Sequence, residues 1–292
     1  MNLLDFQNQF PTETACLEYL EQQRWANGRY CPHCGSYETY KFKDGRLFKC
    51  SDCKKQFTVK VGTIFSDSHV PLQKWFYAVY LNTSLKKGIS SIQLSKYLGI
   101  TQKSAWFMLQ RIRYSMSHNS FDKPLEGIVE IDETYVGGKS PRSVAYENKA
   151  VVFGAVERGG RAKLKHVRSS GSRVLIPEVA RSISSRATIY SDQLNAYKTL
   201  AKRGYIYESV NHSKLEFARG NVHTNTIEGG VWDHLKLSLS AIYIGVSPKH
   251  LQKYCNEFDF RYNTRELNDG QRFGEWFRFI NGKQLTYKSL IK

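Results

Sequence analysis

Between residues 127 and 210 the chain carries short apolar, β-branched runs at 127–132, 151–157, 163–168, 187–191 and 205–210. Their length suits strands. One amphipathic run, "VLIPEVARSI" (174–183), falls between the third and the fourth. The order strand, strand, strand, helix, strand predicts a mixed α/β layer. The flanking pattern is helical. "TETACLEYLEQQRW" (12–25) sets Cys16, Leu17, Leu20 and Trp25 on one side, with Thr12 as its cap. Pro71 opens an aromatic helix, "PLQKWFYAVYLN". "SIQLSKYL" (91–98) and "QKSAWFMLQRIRYSM" (102–116) follow, joined by "GIT". After 226 the chain is helical again, through "HLQKYCNEFDFRYNTR" (250–265) to the end. The stretch 29–65 is rich in aromatic and β-branched residues, and "KDG" (43–45) offers it a hairpin turn.

Charge adds a partner to this outline. The 292 residues hold 43 Lys and Arg against 26 Asp and Glu, a formal charge of +17 spread over the whole length. Such an excess predicts a polyanionic partner, most simply nucleic acid. No apolar run approaches the roughly 18 residues of a membrane span, and "MNLLDFQNQF" does not read as a signal peptide. A cytoplasmic protein is expected. Its cysteines agree with a reducing compartment: four lie in two tight pairs, while Cys16 and Cys255 stand alone.

The pairs Cys31-Pro-His-Cys34 and Cys50-Ser-Asp-Cys53 form two knuckles. Each lets two thiolates bind one tetrahedral ion from a tight turn, and together they make a closed four-sulfur zinc site. Lys41, Lys43, Arg46, Lys49, Lys54 and Lys55 surround it, so the ribbon reads equally as a DNA contact or as a purely structural module. Residues 91–113 have the layout of a helix-turn-helix. Ile92, Leu94, Leu98, Ile100, Ala105 and Leu109 would form the shared core. Lys103 and Ser104 would start the second helix, where such motifs meet bases, and Arg111 and Arg113 would reach phosphates near its end. Any helical hairpin shares this layout.

Three carboxylates carry the candidate chemistry. Asp132 ends the first strand in "IVEIDETYVGGK" (128–139), Asp192 ends the fourth in "ATIYSDQLNAY", and Glu228 begins a helix in "HTNTIEGGVWDHLKLSL". Singly, each has a plain structural reading: a turn aspartate before Gly137-Gly138, an N-cap for "QLNAYKTL", a capping-box glutamate after Asn225. Together, their order along the chain is that of an RNase H-like fold. There the first and fourth strands are neighbours at the centre of the sheet, so carboxylates at their ends converge. Such a cluster repels itself unless cations neutralise it, and its hard oxygen donors suit two Mg²⁺, or Mn²⁺, for phosphoryl transfer. Strand alternation separates Asp132 from Glu133 and puts Glu130 on the face of Asp132. Glu133 therefore reads as a supporting or structural residue, and Glu130 is the rival ligand.

The same motifs, followed by "IGVSPKHLQKYCNEFDFRYNTR", resemble the DDE transposases of bacterial insertion sequences, in the ISXO-like branch with an N-terminal zinc ribbon. The resemblance spans about residues 12–265. It implies that Asp132, Asp192 and Glu228 are the catalytic triad and Mg²⁺ ligands. It also implies that Lys236, eight residues past Glu228, matches a lysine that contacts DNA phosphate, although a solvated surface lysine reads the same way. "LKLSLSAIYIGV" (235–246) departs from the basic, glycine-containing stretch anticipated there. The implied organisation is an N-terminal helix and zinc ribbon (1–65), a helix-turn-helix-like module (66–122), and an RNase H-like catalytic domain with C-terminal helices (123–292). The implied activity is cleavage at terminal inverted repeats and strand transfer into target DNA, by a homo-oligomer. A domesticated regulator that binds without cutting, or an RNase H-like nuclease without strand transfer, would share most of these features.

Overall fold

The computed structural model describes residues 1–117, 123–137, 149–211 and 214–291. Gly138 and Lys139, at the end of the first acidic motif, lie outside them. The chain divides into two compact units. One joins Met1–Met116 to Glu266–Lys292, and the other is Ser117–Arg265. The last segment, read from sequence as part of the catalytic domain, thus groups with the N-terminal unit. The reason is aromatic packing. Phe273 lies 5.2 Å from Phe6 and Phe277 lies 5.1 Å from Phe76, ring centre to ring centre. These two residues of α9 (Asp269–Phe277) complete a buried cluster that the N-terminal helices leave open.

The first unit starts with α1 (Leu3–Gln9), absent from the sequence reading, and α2 (Glu13–Arg24). As expected, the Thr12 side chain accepts the Ala15 N–H. The three-stranded ribbon follows: β1 (Thr39–Lys41), β2 (Phe48–Cys50) and β3 (Gln56–Phe57), in that order and antiparallel. Its first turn forms at the expected place, with Asp44 accepting the Arg46 and Leu47 N–H groups and Gly45 at φ 69°. Then come α3 (Leu72–Ser84), α4 (Ser91–Leu98) and α5 (Gln102–Ser115). Gly99 ends α4 in the left-handed conformation, and Thr101 caps α5. The pairing of α4 and α5 buries Leu94, Leu98, Ala105 and Leu109, whereas Ile92 is 60% exposed and lies outside that core.

The second unit is built on a five-stranded sheet of β4 (Ile128–Val136), β5 (Ala150–Glu157), β6 (Ala162–Val167), β7 (Thr188–Asp192) and β8 (Ile206–Val210). Their spatial order is β6-β5-β4-β7-β8. The first three pair antiparallel, while β4–β7 and β7–β8 pair parallel. The first and fourth strands of the sheet are neighbours, as the carboxylate argument required. One face packs on α6 (Ser172–Ser182) through Val129, Ile131, Phe153, Ala155, Leu175 and Val179. The other packs on the helical run after residue 225 and on α8 (Pro248–Asn263) through Val152, Leu164, Val231, Trp232 and Phe258. That run is irregular. Its central turn, α7 (Asp233–Leu237), lies between two π-helical segments, Thr226–Trp232 and Ser238–Tyr243.

At its outer edge β6 meets side chains instead of a sixth strand. The N–H groups of Ala162, Leu164 and His166 donate to Asn263 Oδ1, Asp259 Oδ2 and Gln252 Oε1 of α8 at 2.8, 3.1 and 2.8 Å. Asn263 and Gln252 also donate to the carbonyls of Ala162 and Leu164. The row satisfies backbone groups that an edge strand otherwise leaves open.

Candidate functional site

The ribbon brings its four cysteines together. Cys31 Sγ lies 3.6 Å from Cys53 Sγ and Cys34 Sγ lies 3.6 Å from Cys50 Sγ. All four sulfurs are within 4.8 Å of one another, and all are free thiols. Four thiolates at about 2.3 Å from one tetrahedral ion stand about 3.8 Å apart, so this donor set fits zinc. His33 is outside the set and turns its ring toward Phe57. Phe48 and Phe57 fill the small core behind the sulfurs, too little to hold the ribbon without a metal.

The proposed DNA contacts of the helical pair divide. Lys103 is exposed on the first turn of α5, with Nζ 5.1 Å from the Tyr287 ring centre. Ser104 follows it, its N–H held by Thr101 Oγ1. Arg111 and Arg113 are 5% and 1% exposed, so neither reaches a phosphate. Arg111 donates to the carbonyls of Ile64, Ser66 and Leu285 at 2.8, 2.8 and 2.9 Å. The arginines follow the buried side of α5, and a charge written into an apolar run is deceptive from sequence alone.

In the second unit, β4 and β7 are hydrogen-bonded partners from Ile128–Thr188 to Glu130–Tyr190. Asp132 and Asp192 each stand two residues beyond that last pair, where the two parallel strands part. Asp192 ends β7, but Asp132 is mid-strand, because β4 continues to Val136 on its β5 side, against the expectation that it ends the strand. Ligand crevices open at such points. Asp132 is half-buried and faces the helical run, where the Trp232 indole N–H donates to its Oδ2 at 2.7 Å. Burial first, then the charges of Glu133 and Asp192, push its carboxyl up to about 8. Asp192 itself accepts the Leu194 N–H at 3.1 Å in a local turn, but the short helix that follows runs Asn195–Thr199 behind Leu194, so the N-cap reading of Asp192 does not hold.

A cleft of about 540 Å³ opens beside Asp132. Glu133, Thr134, Asn225, Glu228, Gly229, Trp232, Asp233 and Lys236 complete its lining. Glu228 thus shares the cleft with Asp132, while Asp192 acts on it through charge. Among the described residues the three carboxylates do not close into one group with mutual oxygen distances under 4.8 Å, as the four thiols do. Asn225 makes no side-chain cap for the helix, so the capping-box reading of Glu228 does not hold. Instead Glu228 accepts the Thr224 hydroxyl.

The neighbours of Asp132 sort as strand alternation requires. Glu133 faces the α6 side, where the Tyr197 hydroxyl donates to it at 2.9 Å. Burial, together with Asp192, pushes Glu133 up to about 7 even though the tyrosine opposes this. It still reaches the lip of the cleft, because β4 has no β7 partner at that level. Glu130 shares the face of Asp132 but is fully buried. It accepts Arg158 Nε at 2.6 Å, the Thr226 and Ile227 N–H groups at 2.8 and 3.0 Å, and the Thr226 hydroxyl at 2.9 Å. Glu130 is therefore the anchor of the helical run that carries Glu228, and its oxygens are committed.

Lys236 is exposed and lies between the cleft and a smaller hollow of about 340 Å³ lined in part by Tyr135, Leu239 and Val246. The apolar character of "LKLSLSAIYIGV" is explained in part by Leu235 and Leu239, which are core residues. Sequence reasoning missed Trp232. The available signal was its place four residues after Glu228, which in a helix puts both on one side.

These features define a protein with a cysteine-ribbon unit and an α/β unit bearing an acidic cleft beside the point where its two central parallel strands part. Two family descriptions match it: a transposase zinc-ribbon domain over residues 11–56 and an ISXO2-like transposase domain over residues 124–263. A Halobacterium salinarum protein described as an uncharacterized protein in transposable element ISH50 is 31% identical over 283 residues, covering 86% of this chain and 91% of the relative. The chain belongs to the ISXO2-like DDE transposase family. The first match contains all four ribbon cysteines, and the second contains Asp132, Asp192 and Glu228. Membership makes DNA its partner and supports zinc in the ribbon. No helix among the described residues is long and apolar enough to cross a membrane.

Proposed function

We propose that this protein cleaves DNA at the ends of an insertion sequence and joins the freed 3′ ends to target DNA, with Asp132, Asp192 and Glu228 as its catalytic carboxylates on an RNase H-like fold. One observation carries the reading: Asp132 and Asp192 stand level just past the point where the adjacent parallel strands β4 and β7 part, and Glu228 enters the cleft of Asp132 from the helix opposite. The donor set fits Mg²⁺ or Mn²⁺, since it is all oxygen, and burial followed by the charges of Glu133 and Asp192 holds Asp132 well above an ordinary aspartate. Two such ions, when bound, would neutralise the charge that develops on the attacking and leaving oxygens.

The chain's own residues do the rest. Asp132, Asp192 and Glu228 would hold the ions, and Lys236 at the mouth of the cleft would draw in a phosphate of the DNA strand. The ribbon and the first turn of α5, with Lys103 and Ser104, would recognise the terminal inverted repeats. An assembly of at least two copies would hold both ends, working in the bacterial cytoplasm.

The test is nicking of labelled element-end duplex in Mg²⁺ by wild type, Asp132→Asn and Glu228→Gln. Each variant should bind the ends and fail to cut them. Full cleavage by Asp132→Asn refutes the assignment. Wild-type protein that binds ends but cuts none would be the regulator. One that cuts without joining a 3′ hydroxyl to plasmid DNA would be the nuclease.

A further inference from the structure

We propose that Trp232 is a positioning residue for Asp132, and that the missing side chain at Gly154 gives it the room to act. This rests on the reading of Asp132 as a cation-holding carboxylate. Gly154 is the cross-strand neighbour of Asp132 in the antiparallel β4–β5 ladder. The other residues of β5 on that face, Ala150, Val152 and Val156, carry side chains into the core. At Gly154 the space is filled by the Trp232 ring, and a Cβ there would lie 2.4 Å from Cη2 and 2.6 Å from Cζ2. The indole is 3% exposed and lies across the strand beside Asp132, with its N–H on Oδ2 at 2.7 Å.

An indole N–H only donates, so it supports the ionised carboxylate and holds no cation itself. Its bond to one oxygen fixes the plane of the carboxylate. Trp232 also ends the π-helical segment in which Glu228 stands, while Glu130 binds the first N–H groups of that segment. Glu228 is therefore held between two attachments to one strand, one on each side of it in sequence. The wide π turn brings residues 228 and 232 to the same side of the helix, and such turns concentrate at functional sites. Trp232 thus sets the spacing of two carboxylates as well as the orientation of one.

Partners that orient a ligand commonly contribute ten- to a hundredfold in metal affinity. The experiment is calorimetric titration of Mn²⁺ into full-length, zinc-loaded protein without DNA, using wild type, Trp232→Phe, Gly154→Ala, the double variant and Asp132→Asn. Trp232→Phe removes the N–H and keeps a smaller aromatic ring in its place. It should weaken Mn²⁺ binding about tenfold while its melting temperature stays near that of wild type. Gly154→Ala, which displaces the ring, should give a similar loss. The double variant should lose no more than either single one, because both act through one bond. Wild-type affinity in Trp232→Phe overturns the proposal, as do additive losses in the double variant. If Asp132→Asn abolishes binding while Trp232→Phe leaves it intact, the positioning role alone fails. If Asp132→Asn binds Mn²⁺ like wild type, the carboxylate reading fails and takes this proposal with it.

Discussion

Asp132 and Asp192 lie level on neighbouring parallel strands, each two residues past the last hydrogen-bonded pair, Glu130–Tyr190. Sixty positions of sequence become adjacency because β7 inserts beside β4 at the centre of the sheet. Asp192 lies off the lining of the cleft, so its role rests on this placement and on the charge it exerts on Asp132 and Glu133. Asp192→Asn should leave circular dichroism and end binding unchanged and reduce Mg²⁺-dependent nicking to background. Nicking at the wild-type rate would remove Asp192 from the triad.

Glu130 should behave differently from Asp132, although the two share a face. Its oxygens bind Arg158 and the start of the helical run. Glu130→Gln places an amide against those donors and leaves a mostly buried guanidinium without its counter-charge. It should cost about 3 kcal/mol of stability in urea denaturation, whereas Asp132→Asn should cost none.

The edge row predicts a pH dependence. Asp259 is half-buried in α8, and the desolvation of its carboxyl against β6 raises it well above the usual aspartate value. Its Oδ2 accepts the Leu164 N–H, while its Oδ1, out of reach of water, has no hydrogen-bond partner among the described residues. A raised folded value means that the folded state keeps a proton the unfolded chain releases. The resulting penalty is absent below the ordinary aspartate value and grows as pH rises toward the folded one. Asp259→Asn keeps the acceptor and removes the titration. Melting temperatures between pH 4 and pH 8 should fall more steeply for wild type than for the variant, and equal slopes would refute this.

Lys103 and Arg111 should separate recognition from folding. Lys103→Ala should leave stability within about 0.5 kcal/mol and weaken end binding, lowering the salt slope by about one phosphate contact. Arg111→Met strands three buried carbonyls and should destabilise the first unit by about 3 kcal/mol. A loss of DNA affinity in Arg111→Met without a loss of stability would contradict its burial.

Zinc removal tests the ribbon. Cys31→Ser or a strong chelator should take metal content from about one zinc per chain to none. It should also abolish end binding while the sheet signal of the second unit persists, because that unit has its own core. Unchanged end binding in the zinc-free protein would leave the ribbon without a recognition role.

The sheet of the second unit was legible because its strands are short apolar runs bounded by polar turns, and all five appear within a few residues of their expected places. The four-cysteine site was legible because thiolate spacing follows metal geometry. Other features depended on which side of an element meets a neighbour. Arg111 and Arg113 look like surface charges until α5 is seen to bury that side. Glu130 competes with Asp132 on alternation alone and is decided by Arg158 and Thr226, residues far along the chain. For Trp232 the spacing from Glu228 gave its side of the helix but not its bond to Asp132, which depends on a missing Cβ at position 154.

The row of α8 side chains along β6 has a consequence for the company this sheet keeps. Asn263, Asp259 and Gln252 use the backbone groups through which a sixth strand would dock, so a second chain finds no template on that edge. A basic protein concentrated on DNA by charge is brought close to its neighbours, where open edges seed aggregates. Here one flank of the sheet is closed by its own helix, and any strand exchange between copies is confined to the β8 side.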